Sequence, residues 1–311
     1  MKVLVTGAAG FLGGHVAAGM LEAGHEVTVY DLVSDDRPHL RGARRVQGDL
    51  LDPAALASAC QGIDAVCHLG GVGDVILAAA EPARAAAANV VGTSHVVAAA
   101  RACGVRRLVY ASTWEVYGVP HYQPIDEAHP CAPDHPYNIT KYAGERLALA
   151  ADRLDDLSTV ALRLGTAYGT RMRPNSVFSR FIDAARRGEP ITIQGTGLQG
   201  RQFTHARDVA RGFLLSLEAA ARGVAINLVA NETTTIADLA GMVASRFPTD
   251  VRFVSARVGD VHPARVDATL AGRLLGWRAE VPFAAGLAEL MDAAADGDGP
   301  AGGGPASGSS L

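Results

Sequence analysis

The pentapeptide "YNITK" places Tyr137 and Lys141 four residues apart, one helical turn along the same face. A phenol titrates at about 10 in water, too high for a general base at neutral pH, and a neighbouring ammonium favours its phenolate. A tyrosine so placed takes the proton of an alcohol while hydride leaves the same carbon, provided a hydride acceptor lies beside it. "YASTWEVYG", from Tyr110 to Gly118, offers a partner, because Ser112 and Thr113 end an apolar run and a hydroxyl there can donate to the reacting oxygen. Strand neighbours point to opposite faces, so one of the two faces the tyrosine; alternation alone does not choose. Glu115 is either a second acid–base group or half of a local ion pair. Trp114 is either an apolar wall for a ligand or core packing, and its indole N–H is no acid at neutral pH.

The hydride acceptor has its own signature. The first apolar run leads into "TGAAGFLG", in which Gly7, Gly10 and Gly13 are spaced G-x-x-G-x-x-G. Such glycines let backbone approach a pyrophosphate, which the free N–H groups of the following helix then bind. Asp31 ends the second run, where a carboxylate accepts from both ribose hydroxyls of an adenosine and repels a 2′-phosphate. Arg37 stands further on, so NAD is favoured over NADP. "GDLLD" sets Asp49 and Leu50 at the expected end of the third run, for an adenine edge; Asp49 is equally suited to a turn or helix cap. The positive ring of oxidised NAD adds to the field favouring a Tyr137 phenolate, and Lys141 can also hold the nicotinamide ribose.

These residues need a scaffold that gathers strand ends. Short apolar runs, "KVLVTG", "EVTVYD", "ARRVQGDL", "IDAVCHLG", "RRLVYAST" and "STVALRLGTAYG", alternate with helix-like stretches, among them "NVVGTSHVVAAARACG" and "YNITKYAGERLALAADRL". This predicts an α/β Rossmann-type fold, a mostly parallel sheet with helices on both faces. After about Thr170 the pattern loses its regularity, which predicts a smaller C-terminal region capping the strand ends, with a ligand in the crevice between. The expected division is 1–170 mainly for the dinucleotide, 171–291 mainly for the substrate with some return to the first unit, and 292–311 a Gly/Ala/Pro/Ser tail without apolar periodicity.

Bulk properties narrow the partners. With 28 Lys and Arg against 32 Asp and Glu, net charge −4 and no long basic run, nucleic acid is not expected. Cys60, Cys67, Cys103 and Cys131 form no CxxC pair and no metal-ligand spacing. The alanine-rich stretches are interrupted by charge and glycine, so no membrane partner is expected. The chain opens on a strand-like run with no leader pattern, and the expected location is cytoplasmic.

Taken together, "TGAAGFLG", "YDL", "GDLLD", "HLGG", "NVVGT", "YASTWEVYG", "YNITKYAGE", "LRLGTAYGTR" and "GRQFTHARDVA" resemble the extended short-chain dehydrogenase/reductase superfamily, in its nucleotide-sugar epimerase/dehydratase group, over Met1 to Met291. The resemblance implies an NAD-dependent enzyme acting on a nucleotide-diphosphate sugar. It implies a tyrosine base at Tyr137, a lysine at Lys141 and, of the two hydroxyls, Thr113 as their partner. It implies cofactor contacts at Gly7, Gly10, Phe11, Leu12, Gly13, Asp31, Asp49, Leu50, Leu69, Gly70, Tyr137 and Lys141. On the substrate side it points to Thr113, Trp114, Thr166, Asn175, Arg201 and Arg257, the two arginines as diphosphate contacts, and to a homodimer formed through two long helices.

The chain departs from the group at three places. Thr166 stands where an asparagine is frequent, "HLGG" replaces "HLAA" and would widen the space near the nicotinamide, and Trp114 stands in the variable position before "EVYG". In the 4,6-dehydratase branch that position is an aspartic acid, the proton donor in water elimination, and the following glutamate is the base. Its replacement by Trp114 disfavours dehydration. Decarboxylation of a uronic acid or an atypical dehydration through Glu115 stays open, a non-catalytic NAD-binding role is the minor alternative, and 4-epimerisation, which needs only Tyr137, Thr113, Lys141 and NAD, is the leading expectation.

Overall fold

The computed structural model describes residues 1–34, 37–154, 157–255 and 264–295; Arg257 and residues 296–311 of the tail lie outside them. Six apolar runs form β1 (Lys2–Thr6), β2 (Glu26–Asp31), β3 (Arg44–Gln47), β4 (Ala65–His68), β5 (Arg107–Thr113) and β6 (Ser158–Leu164). They alternate with α1 (Phe11–Glu22), α2 (Pro53–Ala59), α3 (Val75–Ala80), α4 (Pro82–Ala86), α5 (Thr93–Ala102) and α6 (Pro136–Leu154). Beyond them come β7 (Thr166–Tyr168), α7 (Val177–Arg186), β8 (Ile191–Gln194), β9 (Gly200–Arg201), β10 (Phe203–His205) and α8 (Ala206–Glu218). The last are β11 (Val224–Leu228), β12 (Thr234–Thr235), α9 (Ile236–Arg246), β13 (Val251–Val254), α10 (Thr269–Leu275) and α11 (Phe283–Ala295).

Seven strands make one parallel sheet in the order β11-β6-β5-β4-β1-β2-β3. The order reverses at β1 and β4, so the crevice beyond their carboxyl ends is where a ligand binds in such sheets. Strand alternation divides the core. Val3, Val5 and Val109 pack with Val16 and Met20 of α1 and Phe213 of α8 on one face. Leu4, Leu108 and Tyr110 pack with Leu56 of α2, Val96 of α5 and Ala148 of α6 on the other. A third cluster, including Tyr168, Phe178, Phe203, Leu239 and Phe283, holds the C-terminal elements together.

Two runs read as single elements are divided. "STVALRLGTAYG" is two strands: Gly165 N–H still donates to Leu228 O of β11 at 3.1 Å, and beyond it β7 leaves the sheet and pairs with β10. "NVVGTSHVVAAARACG" begins within a π-helical turn over Ala87–Gly92 before α5 starts. The third strand ends at Gln47, earlier than "ARRVQGDL" suggested, so Asp49 and Leu50 lie in the turn after it. The last helix runs to Ala295, four residues past the expected end of the folded part at Met291.

Candidate active site

A cleft of about 600 Å³ opens at the carboxyl edge of the sheet and is lined in part by Gly7, Gly10, Phe11, Leu12, Gly13 and Leu69. Thr113, Trp114, Glu115, Tyr137, Lys141 and Thr166 line its other end. The glycine turn is obligatory in its packing: a Cβ on Gly13 would stand 2.0 Å from Gly7 O, so no larger residue lets α1 come this close to β1. Asp31, Asp49, Leu50 and Gly70 lie beyond the cleft lining, at the ends of β2, β3 and β4. Asp31 Oδ2 accepts from Ala9 N at 2.9 Å, and Arg37 donates to Ala9 O at 2.8 Å, so the glycine loop is held from both sides. Asp49 is exposed; its Oδ1 accepts from Leu51 N at 2.9 Å and its carbonyl accepts from the Tyr30 hydroxyl at 2.7 Å, the turn role left open by the sequence.

A histidine that the sequence did not single out braces this floor. Thr93 donates to Asn89 O at 2.7 Å, so its oxygen accepts from Nε2 of His68 at 3.0 Å. Nδ1 of His68 then accepts from the Thr6 hydroxyl at 2.7 Å, whose oxygen accepts from Gly70 N at 3.1 Å. His68 is therefore neutral, and burial pulls its pKa down to about 3. Asn89 fixes the next stretch, accepting from Val72 N at 2.8 Å and donating to Val72 O and to Thr140. The "HLGG" departure is explained here. Gly71 has φ +145°, and a Cβ on it would lie 2.4 Å from Asn89 Oδ1. The missing side chain makes room for Asn89, and Gly71 also lines the cleft.

The hydroxyl pair is separated by the pleat of β5. Ser112 shares its face with Leu108 and Tyr110, the face covered by α6, and donates to Glu145 Oε2 at 2.6 Å. Glu145, fully buried, takes two further bonds from Arg163, at 2.7 and 3.0 Å. Thr113 points to the cleft, accepts from Glu115 N at 3.2 Å and lines it together with Tyr137. Tyr137 and Lys141 are brought to the same end of α6, and the Lys141 ammonium position lies 4.4 Å from the Tyr110 ring centroid.

The electrostatics differ from the expectation that Lys141 would favour a phenolate. Burial pushes the Tyr137 phenol up, Glu115 adds to this, and the Thr113 hydroxyl and the Arg173 charge oppose it. Burial pulls Lys141 down to about 7, against the attraction of Glu145. The amine thus loses its proton well before the phenol does, because both are desolvated and desolvation disfavours each charge. Glu115 is raised by burial, with Arg201 and Arg173 opposing. Arg173, from the segment after β7, was not a sequence candidate. It lines the cleft and pairs with Asp74 from the loop after β4, so the two loops meet across the cleft.

Arg201, Trp114 and Thr166 share a small adjoining cavity with Gly165 and Gln202. Trp114 packs partly on a cluster of Val116, Tyr117, Ile125 and Val229, so it is both wall and core. Asn175 lies exposed on the turn before α7, outside the cleft lining, whereas its neighbour Ser176 is part of it. Among the described residues no group of three or more His, Cys, Asp or Glu could hold a metal, and no helix is long and apolar enough to cross a membrane.

Residues 3–229 match the family model described as the NAD dependent epimerase/dehydratase family. The chain is 31% identical to the UDP-glucose 4-epimerase of Mycolicibacterium smegmatis, covering 94% of this chain and 98% of that protein. It is also 31% identical to UDP-glucuronic acid decarboxylase 1 of Danio rerio, covering 92% and 71%. Among solved structures it is similar to MoeE5 in complex with UDP-glucuronic acid and NAD, at 34% identity and a TM-score of 0.88, over 96% of this chain and 100% of that one.

Proposed function

Because the chain belongs to the NAD dependent epimerase/dehydratase family, we propose that it interconverts the C4 epimers of a nucleotide-diphosphate sugar. The observation that carries this reading is the placement of Thr113, Tyr137 and Lys141 together in the lining of a cleft whose other end is the glycine turn. The residues fit NAD: Gly7, Gly10 and Gly13 leave bare backbone at the N-terminus of α1 for the pyrophosphate, Asp31 suits the adenosine ribose and Lys141 the nicotinamide ribose. Bound NAD supplies the hydride acceptor and, when oxidised, a positive ring that favours the Tyr137 phenolate.

Tyr137 takes the proton of the C4 hydroxyl, and Thr113 holds the same oxygen during transfer. The keto sugar turns over so that hydride can return to the opposite face of C4, Tyr137 returns the proton to the oxygen, and the opposite epimer is released. No further acid is needed, in keeping with Trp114 standing where an eliminating enzyme carries its proton donor. Trp114, Thr166 and Arg201 border the sugar diphosphate; Asn175 and, outside the described residues, Arg257 are further substrate contacts on the family resemblance alone. Leu50, Leu69 and Gly70 shape the cofactor floor. A homodimer would cover the apolar residues that α6 leaves exposed, Ile139, Leu147 and Leu154.

A second reading has its own observation. Glu115 is partly buried beside Tyr137, and Arg173 adds a cation to the same end of the cleft. That setting suits a uronic acid, the sugar of the MoeE5 complex, whose keto intermediate loses carbon dioxide if its carboxylate is not restrained. Purified protein is incubated with UDP-, dTDP-, GDP- and CDP-sugars, UDP-glucuronic acid included, and products are followed by mass spectrometry and NMR. Epimerisation gives an isomer with no net NADH; release of carbon dioxide supports the second reading. Tyr137→Phe lowers turnover at least 10²-fold; unchanged turnover rejects the assignment.

A further inference from the structure

We propose that Glu145 is a positioning residue for this site, the buried counter-charge that keeps Lys141 an ammonium. The inference rests on the Tyr137–Lys141 reading above and extends it to a carboxylate one helical turn further along α6. Lys141 is almost fully buried, and an ammonium there needs compensation that the solvent does not give. The groups facing it are few. Tyr137 lies one turn before it on α6, the Tyr110 ring stands against it from β5, and His68 on β4 is neutral and adds no charge. Glu145 is the carboxylate whose attraction opposes the desolvation.

Glu145 is also held where it must act. Its two oxygens take three charge-assisted bonds, two from Arg163 on β6 and one from Ser112 on β5. Arg163 is anchored in turn by donating to the Tyr117 hydroxyl at 2.8 Å, and Tyr117 donates to Asn227 Oδ1 at 2.7 Å. A buried ion pair is by itself weak evidence for stability, since well-packed apolar residues commonly serve as well. Placed one turn from a buried amine, the pair has an electrostatic use. It fixes a carboxylate in the core one helical turn from the lysine of the site.

The test is the pH dependence of turnover and, as a readout independent of chemistry, of NAD affinity measured by tryptophan fluorescence. Glu145→Gln moves the alkaline limb of kcat/KM, and the loss of NAD affinity, to lower pH by about one unit. The double variant Glu145→Gln/Arg163→Met removes both buried charges, so it does not strand the arginine; it moves both limbs the same way. Limbs that stay in place in the double variant, with only thermal stability lowered, overturn the proposal. So does failure of the double variant to fold, which would make the pair a structural keystone. Tyr137→Phe is run in parallel. If it turns over normally, the underlying reading has failed; if it is inactive while the Glu145 variants keep the wild-type profile, only the present inference has.

Discussion

Two adjacent hydroxyls on β5 invite a crossed experiment. Ser112 and Thr113 are both buried, 3% and 5% exposed, yet one hydroxyl bonds inward to Glu145 and the other reaches the cleft. Ser112→Ala removes a 2.6 Å bond to a carboxylate. Hydrogen bonds to charged groups contribute about 1.5–3 kcal/mol, and Glu145 keeps both Arg163 bonds, so the lower part of that range applies. Thr113→Ala loses a long bond from Glu115 N and a small apolar group, together about 1 kcal/mol. Its effect on chemistry is larger, because a preorganised donor to the reacting oxygen contributes about 10²–10³ in rate. Urea unfolding with turnover on the epimerised sugar separates the two. Ser112→Ala loses more stability than Thr113→Ala, and Thr113→Ala loses more turnover than Ser112→Ala. The reverse ranking in turnover would refute the assignment of the two faces.

Other outcomes follow from the same geometry. Gly13→Ala places a methyl 2.0 Å from Gly7 O; the displaced helix costs about 1–3 kcal/mol, seen as a lower urea midpoint together with weaker NAD retention on gel filtration. The folded pKa of Lys141, about 7, lies below its unfolded value, so the folded chain binds fewer protons between the two. Stability therefore rises with pH across that window and is lost as pH falls through about 7; Lys141→Met flattens the rise, measured by urea midpoints below and above neutrality. Glu115→Gln spares plain epimerisation and impairs decarboxylation, as read by NMR of the products. The Glu115 pKa is raised in the fold, so the same variant also loses less stability than the wild type as pH climbs above the carboxylate range.

Much of the frame was legible because it is local. The apolar period of each strand, the glycine turn opening α1 and the tyrosine–lysine spacing on α6 are short-range patterns, and each is met at its position. What misled were places where a partner far along the chain decides. Gly165 splits an apparent strand because β7 finds β10, some forty residues later. The glycines of "HLGG" read as spare room, and only the fold shows that Gly71 also accommodates Asn89 from the π-helical turn. Arg173 left no signal, since a lone arginine in an irregular stretch looks like any solvated side chain until the fold sets it opposite Asp74.

The sequence by itself determined the kinds of chemistry available: a phenol and an amine one turn apart, two hydroxyls at a strand end, a carboxylate beside a tryptophan and a backbone cradle for a dinucleotide. Only the tertiary structure decided which hydroxyl meets the phenol, because strand alternation sets the two faces apart without saying which one α6 covers. It likewise decided the charge states. Burial moves Tyr137 and Lys141 in opposite directions, and how deeply a side chain is desolvated is a property of everything packed around it.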